Sequence, residues 1–222
     1  MSGDLRAFVT SELGHEPKDL SLFELALSHK SLGTDGDYER LEFLGDRVLG
    51  HVMARTLYDR HPTEPEGYLS RRYNVLVARE TCADIGRDLG VPELVRLGKQ
   101  AREDGARQSD NVVGDVVEAL IGALLIDGGL EAAERFIQQA WGPHLAEQRK
   151  APQHPKSALQ ELAAAKGRKA PLYEIVGRTG AAHAPTFTIK VSVPGLGEAT
   201  ATGTSKQDAE TDAAEALLSK LQ

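Results

Sequence analysis

The run NVVGDVVEALIGALLID, residues 111–127, limits what this chain can become more than any other stretch. Nearly every position between its polar ends is Val, Leu, Ile, Ala or Gly, with Asp115 and Glu118 as the exceptions. A helix that is apolar all round has to be buried, so it carries these two carboxylates, three residues apart on one face, into the interior with it. Burying an unpaired carboxylate costs several kcal/mol, so a cation is required nearby. An arginine salt bridge and a bound metal ion both meet that requirement.

A second segment bears on the choice. In YERLEFLGDRVLG, Glu39, Glu42 and Asp46 fall at i, i+3 and i+7, within about 60° of one another at 100° per residue. Leu41, Leu44, Val48 and Val52 take the opposite side, which packs inward while the acids stay together. Taken alone, this could be a solvated acidic face near a helix N-terminus, where the macrodipole favours negative charge. Taken together, the two helices offer like-charged acids in pairs with no suitably spaced basic partner on either face, which favours metal. Oxygen ligands without His or Cys select a hard cation, Mg²⁺, for which Mn²⁺ can substitute. Such a cluster suits two-metal phosphoryl hydrolysis, in which one ion activates water and the other stabilises the leaving oxygen. No nucleophilic side chain and no small-molecule cofactor is called for.

The formal charge of −7 argues at first against a nucleic-acid partner. Residues 1–150 carry 18 Lys+Arg against 26 Asp+Glu, 18 − 26 = −8, and residues 151–222 carry 8 against 7, 8 − 7 = +1. The acid is concentrated in the first part, and bound divalent cations are one reason an acidic domain can meet a polyanion. The single cysteine, Cys82, builds neither a disulfide nor a thiolate metal site and reads as a small buried hydrophobe. No signal-like N-terminus and no long apolar run is present, so the expectation is a cytoplasmic chain without a membrane partner.

EQRKAPQHP, from Glu147, is polar and carries two prolines, which is how a linker reads. The expected organisation is an all-α domain over 1–148, a linker over 149–155 and an α+β domain over 156–222. In the second domain a helix near 156–166 precedes strands near 172–178, 186–193 and 198–203 and a helix near 206–221, giving the order α-β-β-β-α. TFTIKVSV alternates Phe187, Ile189, Val191 and Val193 against Thr186, Thr188, Lys190 and Ser192, as a half-buried antiparallel strand requires. Ser205 with Asp208 makes a possible capping box for the last helix.

ERLEFLGD (39–46) resembles the signature of ribonuclease III, and ALSHKS (26–31), EGYLSR (66–71) and DVVEALIGA (115–123) resemble its other blocks in order. The C-terminal segment resembles the double-stranded RNA-binding domain of bacterial members. The resemblance implies an endonuclease for double-stranded RNA, homodimeric, leaving staggered 5′-phosphate and 3′-hydroxyl ends and processing ribosomal RNA precursors and other structured RNAs. It implies Glu42, Asp46, Asp115 and Glu118 as direct metal ligands, with Glu39 and Glu66 contacting RNA or the second metal and its waters; a solvated loop acid is an equal reading of Glu66. Phe43 matches a position that inserts into the partner subunit, although a core phenylalanine would look the same. His29 fits a buried structural histidine better than a catalytic one. Arg47 stands where the signature usually has serine.

In the C-terminal part PKSALQELA resembles the first helix of the RNA-binding domain, which implies Gln160 and Glu161 at a minor groove. GAAHAPTF implies His183 at the next minor groove, and SKQDAE implies Lys206 at phosphates, with Gln207 where a second lysine is usual. Two rival readings remain at this point: an RNA-binding protein that does not cut, and a hydrolase of another phosphorylated substrate.

Overall fold

The computed structural model describes residues 2–33, 36–148, 154–181 and 184–221. The chain divides into two compact units, Met1–Pro152 and Gln153–Gln222. Most of the expected linker, residues 149–153, lies outside the described residues. Its last residue, Pro155, is instead the first residue of a helix, where proline's fixed φ and missing N–H cost nothing.

The first unit is helical: α1 (Ser2–Ser11), α2 (Leu20–Ala26), α3 (Glu39–Arg60), α4 (Glu66–Leu76), α5 (Arg79–Asp88), α6 (Val91–Leu94), α7 (Lys99–Glu103), α8 (Asp110–Ala140) and α9 (Gly142–Glu147). The apolar run forms the first part of α8, with Val113, Val116, Val117, Leu120, Ile121 and Leu124 fully buried. Gly129 breaks the helical geometry of α8 at φ 78°. α3 lays Leu41, Val48, Leu49, Val52 and Met53 into the same core, with Leu44 half-buried at its border. Trp141 closes the far end, fully buried, with its indole N–H donating to the Leu76 carbonyl at 2.7 Å. Cys82 is buried as expected, and burial pushes its thiol up to about 12. Among the described residues no helix is long and apolar enough to cross a membrane.

Two glycines set how closely α3 and α8 cross. A Cβ on Gly45 would sit 1.7 Å from the Glu118 carbonyl oxygen, and one on Gly122 would sit 2.3 Å from that of Leu41. Both helices therefore meet backbone to backbone, which no larger residue allows.

The second unit runs α10 (Pro155–Ala165), β1 (Leu172–Ala181), β2 (Ala184–Val193), β3 (Gly197–Gly203) and α11 (Lys206–Leu221), the order expected. The strands form one antiparallel sheet, β1-β2-β3. Ile189, Val191 and Val193 point into the core between sheet and helices, so the alternation in β2 holds; Phe187 at its outer end is only half-buried. β1 continues three residues past the expected 178, with a register shift against β2 between Ile175 and Gly177. Only half of the capping box forms: the Ser205 hydroxyl accepts the Asp208 N–H at 3.1 Å, while the Asp208 carboxylate takes the Thr204 hydroxyl at 3.2 Å.

Candidate active site

Beside that glycine crossing, α3 presents Glu42 and Asp46 and α8 presents Asp115 and Glu118 to one cavity of about 290 Å³, whose wall is completed by Val77, Arg79 and Gly114. One water occupies ~30 Å³ in the liquid, so the space takes ions with their waters and part of a substrate. One carboxylate oxygen from each of Glu42, Asp115 and Glu118 lies within 4.8 Å of the others. Asp46 lines the same cavity but is not one of these three, and its carboxylate is held by the neighbouring Arg47.

The remaining expected residues are placed differently. Glu39 is exposed and bound by Lys30 Nζ at 2.9 Å. Glu66 begins α4, exposed, accepting the Ser70 hydroxyl at 2.5 Å, and does not line the cavity. Phe43 is 65% exposed, which removes the core-phenylalanine reading; the Arg47 guanidinium stacks 5.2 Å from its ring centre. His29 is half-buried and structural in its contacts, its Nδ1 accepting the Ser31 N–H at 3.1 Å and its ring set against Tyr38.

The electrostatics of the cluster are those of acids waiting for a cation. Burial, then the charges of Asp115 and Glu42, push Glu118 up to about 7. Burial, followed by Asp115 and Glu39, raises Glu42. Asp115 is also raised by burial, although the Tyr38 hydroxyl donates to it at 3.3 Å. Among the described residues neither Glu42 nor Glu118 has a hydrogen-bond donor or an ion-pair partner for its carboxylate. Asp127, further along α8, behaves in the opposite way. It is 8% exposed and accepts the Lys18 and Asp19 N–H groups at 2.9 and 2.8 Å and His15 Nε2 at 2.6 Å. Burial opposes its ionisation, but these donors outweigh burial and its pKa is lowered.

The chemistry of the donor set therefore fits a hard dication: converging oxygens, half-buried, with proton affinities raised by burial and held up at Glu42 and Glu118 by the charge of neighbouring acids although Arg79 lies close. The salt-bridge explanation of Asp115 and Glu118 fails, since no cation pairs with either among the described residues. Two contributors escaped the sequence reading. Tyr38 carries no charge for spacing to pick out, and Arg79 lines the cavity from α5, where spacing along α3 or α8 cannot reveal it.

In the second unit Gln160 and Lys206 share a surface depression with His154, Lys156, Ser157, Gln207 and Glu210. Lys156 is paired with Glu210 there, and Lys206 also reaches the Phe187 ring at 5.9 Å. Glu161 is exposed on α10 and outside that depression, and His183 lies outside the described residues.

Comparison with known proteins decides what this arrangement belongs to. A family model for ribonuclease-III-like domains matches residues 19–145, and one for the double-stranded RNA binding motif matches 155–221. The chain belongs to the ribonuclease III family. Ribonuclease 3 of Zymomonas mobilis is 58% identical over 96% of this chain and 86% of its own length, and that of Caulobacter vibrioides 44% identical over 94% and 92%. The nuclease domain of Campylobacter jejuni ribonuclease III superposes with a TM-score of 0.58 at 31% identity, covering 61% of this chain and 97% of that one; it is described there as having a flexible region involved in dimer formation. As a ribonuclease III-type enzyme the chain is an endonuclease for double-stranded RNA, with its acid cluster on the nuclease domain and a second domain that binds the duplex.

Proposed function

We propose that the chain cuts double-stranded RNA with Mg²⁺ held by Glu42, Asp46, Asp115 and Glu118, with Mn²⁺ able to substitute. The observation that carries this is the convergence of three half-buried carboxylates with which, among the described residues, no protein cation forms an ion pair. Bound dications there supply an activated water and charge stabilisation of the leaving 3′ oxygen, which leaves 5′-phosphate and 3′-hydroxyl ends. The protein's part is positioning. The backbone contact at Gly45 and Gly122 holds the α3 acids against the α8 acids, and Tyr38 orients Asp115 through its hydroxyl. Glu39 and Glu66, exposed and outside the cavity, are assigned to RNA or to the outer waters of the metal site; Glu39 has to leave Lys30 to take part.

Phe43 is the dimer contact in this reading: a large exposed apolar ring next to the acids gains most from a second copy of the chain. The homodimer then places two cavities on one duplex, one for each strand, and the cuts are staggered. Gln160, Glu161, His183 and Lys206 are assigned to RNA, the first two in a minor groove and Lys206 at phosphates. Precursors of ribosomal RNA and structured messengers in the cytoplasm are the substrates of this assignment.

The test is cleavage of an end-labelled RNA duplex by the wild type and by Glu118→Gln, with Mg²⁺ and with Ca²⁺, while binding is followed in the same samples. Cutting should require Mg²⁺ and fall by about 10²–10³-fold in the variant while binding persists, since metal-ion stabilisation contributes several kcal/mol. Binding without cutting in wild type and variant alike would point to an RNA-binding protein with structural acids.

A further inference from the structure

Arg79 is the cation among the acids that holds none of them. It lines the cavity with Glu42, Asp46, Asp115 and Glu118, yet among the described residues it forms no hydrogen bond and no ion pair. The other cations nearby are taken: Arg47 holds Asp46 and Lys30 holds Glu39. Arg79 is also exposed, so its guanidinium is open to a ligand. Its backbone is fixed by close packing, since a Cβ on Gly114 would come within 3.2 Å of the Arg79 carbonyl oxygen and 3.3 Å of its Cγ. The residue before Asp115 is therefore small enough for the Arg79 stem to lie on α8, directly beside the acids.

An unpaired cation at this place works against metal binding, because it repels the incoming dication. What it can bind is an anion that arrives with the metal. A guanidinium presents a planar fork of donors that matches two oxygens of a phosphodiester. α5 starts at Arg79 without a side-chain cap, so the positive end of its dipole adds to the same field.

We propose that Arg79 is a catalytic residue of the nuclease, donating to a non-bridging oxygen of the scissile phosphodiester and stabilising the charge that builds there as water attacks phosphorus and the bond to the 3′ oxygen breaks. The inference rests on the nuclease reading above and adds to it a protein group that neutralises the phosphate beside the carboxylates. It also explains why a site built to collect dications keeps a positive charge that weakens their binding.

The experiment compares the full-length wild type with Arg79→Ala, Arg79→Lys and Arg79→Gln. Single-turnover cleavage is measured at saturating duplex and saturating Mg²⁺, and Mg²⁺ binding to the RNA-free protein is measured by calorimetry. The Ala and Gln variants should cut about 100-fold more slowly, the scale of losing one donor to a developing oxyanion. Arg79→Lys should recover part of the rate, since it restores the charge without the fork. Mg²⁺ affinity should stay the same or tighten several-fold in the Ala and Gln variants, the sign opposite to the change in rate. Unchanged cleavage at saturating Mg²⁺, in a wild type that does cut, would overturn the role of Arg79 and leave the nuclease reading intact. Rate and Mg²⁺ affinity falling together would also overturn it, making Arg79 an organiser of the acids. Should the Ala variant melt early, the Lys and Gln variants decide the matter. A wild type that binds duplex and never cuts would overturn both readings at once.

Discussion

The two ends of the buried part of α8 treat a carboxylate in opposite ways. At Asp127 the chain folds its own donors onto the acid: two backbone amides from residues 18 and 19 and the ring of His15. At Asp115 and Glu118 it brings up further acids instead, and among the described residues leaves Glu118 and Glu42 without a donor. The same helix thus carries one acid that serves the fold and two that cost it stability. An acid that folding leaves unsatisfied is kept for something that binds later, and the contrast within one helix excludes carelessness about buried charge in general.

The sharpest way to break this comparison is to remove each acid in turn. Asp127→Ala strands two amides and a histidine and should lower unfolding free energy by about 3 kcal/mol in denaturant titrations. Glu118→Gln, without metal at neutral pH, should leave stability unchanged or raise it. Equal losses at both positions would mean that Glu118 is as structural as Asp127.

The pH dependence of the metal-free protein should separate them next. Glu118 is raised to about 7 from an ordinary 4.5, so the folded state holds its proton more tightly than the unfolded state does. Its contribution to stability is therefore present below about pH 4.5 and lost as pH rises towards 7, by about 2 kcal/mol once its partial exposure is allowed for. Asp127 is lowered, so its contribution is present above the ordinary Asp range and is lost as pH falls through its folded value. Melting temperatures between pH 4.5 and 7 should decline less in Glu118→Gln than in the wild type, and Mg²⁺ should cancel the decline. A wild type whose stability is flat across this window would count against unsatisfied acids.

The smallest expected effect lies in the second unit, where charge is at most half-buried and already paired, as at Lys156 and Glu210. Gln207→Lys adds one phosphate contact to the depression it shares with Lys206, and should tighten duplex binding several-fold. The dependence of log affinity on log salt should steepen by about 0.9, and an unaltered slope would separate Gln207 from the RNA-binding surface.

Where the sequence could be read and where it could not follows from the range of the forces involved. The buried helix, the acids of α3 on one face and the alternation in β2 are local periodicities, visible without knowing any partner. The meeting of Glu42 with Asp115 and Glu118 was legible through the family resemblance, which sets them in one ligand group, because the periodicity of each helix arranges its own acids and says nothing of the other's. Arg79 could not be found this way, because it belongs to a third helix whose approach depends on the missing side chain at Gly114. Phe43 was undecidable for a related reason: its neighbours in sequence do not say whether the outer face of α3 is covered. The strand expected over 172–178 runs on to Ala181 through a register shift between Ile175 and Gly177, since an antiparallel partner supplies hydrogen bonds on both sides of the shift.

Trp141 is the chain's single tryptophan, and it sits sealed in the helical unit with its indole tied to Leu76. Emission excited at the red edge of protein absorption therefore comes from the nuclease half alone, while the RNA-binding half, whose aromatics are Tyr173 and Phe187, stays dark. The molecule carries a built-in optical label that lets the loss of one half be watched independently of the fate of the other.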